Sequence, residues 1–298
     1  MLEKLEFMLA LAREKHFRRA ADSCGVAQPT LSLGIQSLEE MLNVALVKRS
    51  SRFQGFTPEG ERVLIWARRM VGDAHAMRQE IQGLQRGIGA HLRLAAMPSA
   101  MSVVAALTAP FQKRHPGTRF TVLARPSDVV VSLLHNREVD AGITYIDHDP
   151  IDDVTRVPLF RETYLLLTSR DNPLASAKKT TWADIASLPM CLLTRDLQHR
   201  RIIDSVFEGL DLETAPLVET DSAIALASHV ATGRFVSVVP KSMLNALQLG
   251  DLQTLPIDTP TVTHTIGLIV SDRYAQPPSI RQLVDEARRL CPPELLAA

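Results

Sequence analysis

The polar side chains with the most informative spacing are amides and hydroxyls at the start of a helical segment over about residues 28–41. Leu31, Ile35, Leu38 and Leu42 give this segment one apolar face. Glutamine pairs with adenine through two hydrogen bonds, and serine or threonine bonds to a base or a phosphate. The polar residues of the opposite face are Gln28, Thr30, Ser32 and Gln36. They predict nucleic-acid contacts, the alternative being the solvated face of an ordinary helical bundle.

A second helical segment, over about residues 18–24, precedes this one. Gly25 stands between the two, where a helix would end and the chain would turn. Pro29 suits the first turn of the second helix, because an N–H at that position would have no partner. Helix, short turn with glycine and helix is the pattern of a helix-turn-helix, whose second helix enters the DNA major groove. The sequence therefore predicts such a motif over about residues 18–37.

Basic residues flank this pair of helices. Arg18 and Arg19 belong to one cluster, and Arg49 and Arg52 belong to a second cluster just before an apolar segment over 53–57. The second arrangement suits a short two-stranded wing, whose arginines bind phosphates or enter the minor groove. The alternative is a pair of solvated faces. The evidence is local, because the chain as a whole carries 33 basic and 33 acidic residues.

A long helical segment follows, over about residues 58–86. It begins at Thr57, Pro58 and Glu59, which are typical of an N-cap, a first helical position and a first turn. Apolar residues then recur at alternating steps of four and three, which is the a/d seam of a coiled coil. The seam residues are Val63, Ala67, Met70, Ala74, Met77, Ile81 and Leu84. We predict dimerisation through them, the alternative being packing of the helix on its own domain.

From residue 91 onward, apolar strands alternate with helical segments. The order over residues 92–145 is βαβαβ, which predicts a parallel sheet. The alternation continues to about residue 290, with more strands than one small sheet needs. The predicted fold class is therefore a two-lobed α/β domain over 91–298, preceded by an all-α winged helix-turn-helix over 1–58 and a linker helix over 59–90.

Small polar residues follow several of these strands, at the sheet edge where ligands of open α/β folds bind. Hydroxyls beside the free amides of a helix start suit a small anion such as a carboxylate, although each serine or threonine taken singly is also a simple helix cap. Arg195 would pair either with an anionic ligand or with an acid on its own surface. The candidate ligand-binding residues are Pro98, Ser99, Ala100, Ser127, Thr144, Tyr145, Thr194 and Arg195.

Sequence signatures of catalysis are missing. The chain has no G-x-S-x-G, P-loop or H-E-x-x-H motif, and its nine histidines show no metal-ligand spacing. We therefore expect no enzyme, no catalytic residues, no metal and no cofactor. The weaker alternative is a small-molecule-binding enzyme with a DNA-binding appendage.

Cysteine usage and hydropathy indicate a cytoplasmic protein. Cys24, Cys191 and Cys291 are odd in number and far apart, so they give no disulfide framework and fit a reducing compartment. The N-terminus is a poor signal peptide, because Glu3, Lys4 and Glu6 interrupt its short apolar stretch. Prolines interrupt the longest uncharged run, over 94–112, so no membrane span is predicted.

Residues 1–86 resemble the DNA-binding part of LysR-type transcriptional regulators. The resemblance rests on Phe17–Ala21, Val26–Ser32, Leu46–Arg49 and Thr57–Gly60, taken with their spacing. The chain departs from the family where Val47 replaces an aromatic residue and Asn43 replaces a glycine. Leu33 and Gly34 also replace residues that are often polar or basic.

The resemblance implies a sequence-specific regulator that binds double-stranded promoter DNA as a dimer or tetramer and responds to a small-molecule effector. The effector domain would resemble periplasmic binding proteins, with lobe I over 91–162 and 268–298 and lobe II over 163–267. A serine or threonine after the first strand of lobe I contacts the effector in this family, which favours Ser99. Some relatives switch through cysteines, so a redox-responsive regulator is the alternative.

Overall fold

The computed structural model describes residues 1–48, 53–86, 91–147, 151–244, 250–272 and 276–290. The chain divides into two compact units. One unit comprises residues 1–88 together with 135–138, and the other comprises residues 89–134 and 139–298.

Four helices build the N-terminal unit: α1 (Leu2–Glu14), α2 (Phe17–Ser23), α3 (Gln28–Leu42) and α4 (Pro58–Arg86). The ends predicted for α2 and α3 differ from these bounds by single residues. Asn43 ends α3 in the left-handed conformation, with φ of 51°. Asparagine tolerates this conformation better than most residues, which explains why it can replace the family's glycine.

The core of this unit forms where α1 and α2 pack on the apolar face of α3. Leu31, Ile35 and Leu38 of α3 are buried there. A Cβ atom on Gly34 would lie 2.6 Å from the ring of Phe7 in α1, so only glycine permits this close approach. The packing accounts for a residue that costs a helix interior about 1 kcal/mol relative to alanine.

The helix α4 starts where the sequence predicts it to start. The Gly60 amide donates a hydrogen bond of 2.9 Å to the Thr57 hydroxyl, which in turn donates to the Ala45 carbonyl at 2.7 Å. The first half of α4 buries Leu64, Ala67 and Val71 in the core of the unit. Thr57 therefore caps the helix and also attaches its start to the segment that follows α3.

Three parallel strands open the C-terminal unit: β1 (His91–Ala96), β2 (Arg119–Ala124) and β3 (Ala141–Tyr145). The central strand β1 pairs with both β2 and β3, and the connecting helices are α5 (Met101–Arg114) and α6 (Ser127–His135). The predicted βαβαβ arrangement is confirmed for this part of the chain.

The sheet becomes mixed beyond β3. Strand β4 (Val154–Ser169) runs for 16 residues, although the sequence predicts only about 164–168 as a strand. Its first part pairs antiparallel with β9 (Thr263–Ser271), which also pairs antiparallel with β3. The register shifts between Pro158 and Phe160, since proline cannot donate to the ladder. This irregular, charge-interrupted stretch hides the first part of β4 in the sequence pattern.

The last part of β4 lies in a second lobe. There it pairs antiparallel with β7 (Ser237–Pro240) and β8 (Leu252–Pro256), while β5 (Cys191–Leu193) and β6 (Val218–Thr220) form a separate parallel pair. Among the described residues, the remaining helices are α7 (Trp182–Ala186), α8 (Gln198–Gly209), α9 (Ala223–Ala231), α10 (Lys241–Leu244) and α11 (Pro278–Leu290).

The chain crosses between the lobes at two points. It leaves lobe I near Thr163, where β4 exchanges β9 for β7 and β8 as pairing partners. It returns at the start of β9, at Thr263, whereas the sequence analysis places the return at 268. Lobe I therefore contains β1–β3, the first part of β4, and β9.

Candidate nucleic-acid interface and interlobe cleft

The outward face of α3 carries the predicted base-contacting side chains. Gln28, Pro29, Thr30 and Gln36 are exposed, and Ser32 is half-buried. The Gln36 amide donates to the Glu40 carboxylate at 3.3 Å, a surface contact that a base can replace. Because these amides and hydroxyls lie at the surface, they are available for hydrogen bonds to base edges.

Leu33 lies on the same face and was not predicted to contact DNA. Its side chain is 64% exposed, four residues after Pro29 and three before Gln36. An exposed leucine on a polar recognition surface can pack against the methyl group of thymine. The apolar periodicity of α3 does not single out Leu33, because one leucine outside the apolar face is common in surface helices.

The two predicted phosphate-binding arginines of α2 differ in their surroundings. The guanidinium of Arg19 donates to the Glu14 carbonyl at 2.7 Å and so satisfies the C-terminal end of α1. Arg18 is exposed at the start of α2. Arg18 is the better candidate for a phosphate contact, while Arg19 also holds the turn between α1 and α2.

The base of the predicted wing is present. Val47 and Phe56 form an antiparallel bridge, and Lys48 donates its amide to the Gly55 carbonyl at 3.0 Å. The Glu39 carboxylate accepts the amides of Leu46 and Val47 at 2.7 and 3.1 Å, which ties the wing to α3. Arg49 and Arg52 lie outside the described residues.

The predicted coiled-coil seam divides into two parts. Ala67 is fully buried in the core of its own unit, and Val63 packs against that core. Met70, Met77 and Ile81 are exposed by 38%, 56% and 45%, while Ala74 is half-buried and the side chain of Leu84 lies outside the described residues. The surface left for a second chain therefore starts at Met70.

A narrow cleft separates the two lobes of the C-terminal unit. Lobe I lines it with Met97, Pro98, Ser99, Pro126, Ser127 and Tyr145. Lobe II lines it with Leu193, Leu197, Gln198 and His199. We call this space the interlobe cleft. Its volume of about 10 Å³ is close to that needed by one water molecule, so the lobes leave little space between them here.

Four of the eight predicted ligand-binding residues line the interlobe cleft, namely Pro98, Ser99, Ser127 and Tyr145. Ser99 lies in a 3-10 helix at the end of β1, and Ser127 starts α6 after β2. Strand ends of a parallel sheet meet at one edge, which explains why residues distant in the sequence converge there.

The other four predicted residues do not line the cleft in the part of the chain that the structure describes. Thr144 precedes Tyr145 on β3 and so faces the opposite side of the sheet. Ala100 is buried. The backbone amide of Thr194 donates a hydrogen bond to the Thr220 carbonyl and so continues the β5–β6 ladder. The side chain of Arg195 is 73% exposed and lies 3.5 Å from Asp204, which matches its surface-acid alternative.

Gln198 and His199, at the start of α8, were missed by the sequence analysis. His199 is 4% exposed, stacks on Tyr164 at 5.4 Å, and has its Nε2 atom 3.1 Å from the Val238 carbonyl. Burial is the main cause that lowers the pKa of His199 to about 4; the hydrogen bond to Val238 opposes this shift, and the charge of neighbouring Arg200 contributes to it. The ring is therefore neutral at pH 7.

Polar side chains next to the cleft form a buried network across the lobes. The Ser242 hydroxyl, in α10 of lobe II, lies 3.0 Å from the Ser99 carbonyl and also within hydrogen-bond distance of the Glu162 carboxyl group, so its single proton is shared between these two acceptors. The Tyr145 hydroxyl lies 3.4 Å from that of Tyr164. Desolvation raises the pKa of Glu162 to about 7, and it also raises the pKa of both tyrosines.

Of the two described cysteines, Cys191 has the environment of a structural thiol. Cys191 is fully buried on β5, and burial raises the pKa of its thiol. Cys24 is half-exposed in the other unit, and Cys291 lies outside the described residues. A buried thiol with a raised pKa is a poor nucleophile towards peroxide.

Two other kinds of site are absent from the described ranges. No group of three or more His, Cys, Asp or Glu residues is placed to hold a metal ion there. None of the described helices combines the length and apolar character needed to cross a membrane.

Two protein-family models match the chain. The model described as "Bacterial regulatory helix-turn-helix protein, lysR family" matches residues 2–61. The model described as "LysR substrate binding domain" matches residues 85–292. Together they cover both units.

Curated relatives match over almost the whole chain. A probable nitrogen assimilation transcriptional activator of Synechococcus elongatus is 26% identical over 97% of this chain and 94% of its own length. The DNA-binding transcriptional dual regulator OxyR of Escherichia coli is 28% identical over 90% of this chain and 88% of its own length.

Solved structures show the same architecture. A full-length OxyR variant from Pseudomonas aeruginosa superposes with a TM-score of 0.73 at 27% identity, covering 98% of this chain and 95% of that one. CbnR complexed with its target DNA superposes with a TM-score of 0.72 at 22% identity, covering 98% and 100%. The chain belongs to the family of LysR-type transcriptional regulators.

Proposed function

We propose that this protein binds a promoter sequence through α3 and the wing, and that a small molecule in the interlobe cleft modulates this activity. One observation carries the proposal: a single chain joins an exposed amide and hydroxyl face on a helix-turn-helix to a two-lobed domain with a cleft between its lobes. The relatives are transcriptional regulators, which supports a regulatory role for this chain rather than catalysis.

The proposed DNA contacts follow the exposure of the side chains. Gln28, Thr30, Ser32 and Gln36 read base edges or bind nearby phosphates, and Pro29 sets the start of the helix. Arg18, Arg19, Arg49 and Arg52 bind the backbone, with the wing arginines against phosphates or in the minor groove. The exposed part of α4 joins two copies of the chain. The form that binds DNA is therefore a dimer, or a tetramer, in the cytoplasm.

The proposed effector acts through the lobes. A ligand changes DNA binding only if it binds the two lobe arrangements with different affinities. The cleft is nearly closed here, so ligand entry requires the lobes to separate or side chains to rotate. That requirement supplies two arrangements of the domain, of which one has room for the ligand.

Redox switching is the second candidate, since several relatives are named hydrogen peroxide-inducible genes activators. The full burial of Cys191 argues against it in this chain. Peroxide treatment should leave the affinity for DNA unchanged. A change in affinity that disappears in Cys191→Ser would establish the redox mechanism instead.

Fluorescence anisotropy with DNA from upstream of the protein's own gene tests the DNA-binding proposal. At about 150 mM salt, where nonspecific binding is weak, we expect saturable binding that exceeds binding to scrambled DNA of the same composition. Absence of binding to any DNA even at low salt would refute the assignment of α3 as a recognition helix.

Gln28→Ala tests base recognition in the same assay. Loss of a bidentate contact should weaken binding to the specific DNA about tenfold or more and leave binding to scrambled DNA unchanged. Gln282→Ala, an exposed amide on α11, is the matched control. An equal loss on both DNAs would show that Gln28 binds the backbone instead.

A further inference from the structure

The interlobe cleft contains no cationic side chain among the described residues that line it. Arg200 follows His199 but is turned away, donating to the Leu193 carbonyl, to Asp204 and to Glu219. Arg195 is largely exposed beside Asp204. A carboxylate ligand would therefore lose its hydration in the cleft without gaining an ion pair, which is a large cost.

The tautomer of His199 gives the cleft lining a hydrogen-bond acceptor, the Nδ1 atom of the ring. The Val238 carbonyl can only accept, so its 3.1 Å contact places the ring proton on Nε2. Because the ring is neutral at pH 7, Nδ1 is then a bare acceptor. Nδ1 is buried and has no hydrogen-bond partner among the described residues, although the ring itself lines the cleft.

A buried acceptor without a donor is costly, so an occupant that donates a hydrogen bond is favoured at this point. An anionic oxygen has no proton to donate, so it cannot satisfy this acceptor.

A cation fits the cleft less well than a neutral donor. Glu162 is 1% exposed and is not a lining residue, so it offers no direct ion pair. Met97, Leu193 and Leu197 supply apolar walls that would strip water from an ammonium group without replacing it.

We propose that the effector is a small uncharged molecule bearing hydroxyl groups, and that His199 Nδ1 accepts a hydrogen bond from one of them and thereby selects it over carboxylates. This inference rests on the proposed function of the interlobe cleft. It differs from the expectation of an anion that helix starts and Arg195 gave in the sequence, and the probes below decide between the two.

Matched pairs of probes with the same carbon skeleton test the ligand class. Glycerol and glycerate, xylitol and xylonate, and glucose and gluconate are compared on the full chain by isothermal titration calorimetry at pH 7. We expect at least one neutral member to bind about tenfold more tightly than its carboxylate. Tighter binding of the carboxylates, or no binding by any neutral member at 10 mM (about ten times a 1 mM Kd), would overturn the proposal.

His199→Phe removes the acceptor and keeps an aromatic ring for stacking on Tyr164. It should weaken binding of the neutral probe about tenfold, whereas His229→Phe, a histidine of α9 outside the cleft, should not. Nitrogen NMR on the wild-type protein should show a neutral His199 protonated at Nε2. A ring protonated at Nδ1 would refute the proposed acceptor.

The DNA assay separates this inference from the proposed function. If carboxylates alter DNA affinity, the interlobe cleft is an effector site and only the proposed ligand class is wrong. If no small molecule in either set binds the full chain or alters its DNA affinity, the proposed ligand class is wrong, and specific binding to the upstream DNA still tests the DNA-binding part of the proposed function separately.

Discussion

Ser99 connects the cleft to the network that joins the lobes. Its side chain lines the cleft and forms a hydrogen bond with the Tyr145 side chain. Its backbone carbonyl accepts a hydrogen bond from the Ser242 hydroxyl of the opposite lobe. A ligand that binds the Ser99 hydroxyl therefore competes with, or reinforces, contacts that hold the lobes together. Effector recognition and lobe position thus depend on the same residue.

We predict that Ser99→Ala weakens the effector response and leaves effector-free DNA binding intact. Loss of one hydroxyl hydrogen bond should raise the effector concentration needed for half-maximal change about tenfold. The measurement is DNA anisotropy across an effector titration, with Ser205→Ala on α8 as control. An unchanged response would remove Ser99 from the site.

Glu162 should give the stability of the C-terminal unit a distinctive pH dependence. Burial raises its pKa from 4.5 to about 7, so between these values the folded state holds a proton that the unfolded state has lost. Its contribution to stability is therefore complete below pH 4.5, falls as the pH rises to about 7, and is constant above that. His199 acts in the opposite sense between pH 4 and 6.5, because its pKa is lowered.

Glu162→Gln isolates this contribution, since wild type and variant share His199. The variant should gain stability relative to wild type between pH 5 and pH 8, by up to about 3 kcal/mol. Urea unfolding at both pH values measures the difference, and Glu213→Gln in an exposed loop is the control. A relative stability independent of pH would show that Glu162 titrates normally.

Sequence reasoning reached only part of the cleft. Ser99, Ser127 and Tyr145 are recognisable because each lies at the end of a strand in a readable βαβαβ order. His199 and Glu162 are not recognisable in this way. Their elements, α8 and β4, come near the strand ends of lobe I only because the chain crosses between the lobes. Their chemistry also depends on burial, which no local pattern reports.

At the scale of elements, α2 and α3 were predictable because Gly25 separates them, Pro29 suits the first turn of α3, and the apolar residues of α3 recur with a clear helical period. Strand β4 was not, since Pro158 and the charged residues of its first part break the apolar pattern. What makes that part a strand is its pairing with β9, which begins only at Thr263. Such long-range pairing has no local signature, and it also fixes where the lobes divide.

The junction between the wing and α4 depends on one glycine. A Cβ atom on Gly60 would lie 2.1 Å from the Leu46 carbonyl, so any other residue must displace backbone. We predict that Gly60→Ala destabilises the N-terminal unit by about 2–3 kcal/mol through this overpacking and lowers DNA affinity. Thermal unfolding and DNA anisotropy provide the two measurements.

The control for this change is Gly209→Ala at the end of α8. No described atom lies within 4 Å of a Cβ added there, so the substitution should be neutral or slightly stabilising. Equal stabilities of the Gly60→Ala and Gly209→Ala proteins would contradict the close contact between Gly60 and Leu46.

At the scale of the whole molecule, one part of α4 packs in the core of its own unit and another part is exposed. Its first half belongs to the core of the N-terminal unit through Leu64, Ala67 and Val71. From Met70 onward, α4 exposes Met70, Met77 and Ile81 at coiled-coil spacing. A row of exposed apolar side chains on one helix face is unfavourable in water unless a second surface covers it. A second copy of α4 offers a matching row.

Met77→Glu should therefore break the assembly without unfolding the N-terminal unit, because Met77 is 56% exposed and contributes little to the unit's own core. A carboxylate facing its copy across a coiled-coil seam is both desolvated and repelled. We expect light scattering to show a multiple of the 32.9 kDa chain for wild type and a single chain for the variant at micromolar concentration. Affinity for a palindromic DNA site should fall with it, because one chain reads only one half-site. Arg78→Gln, which makes the same change in net charge one residue off the seam, should remain assembled. An assembled Met77→Glu protein would place the dimer contact elsewhere on the molecule.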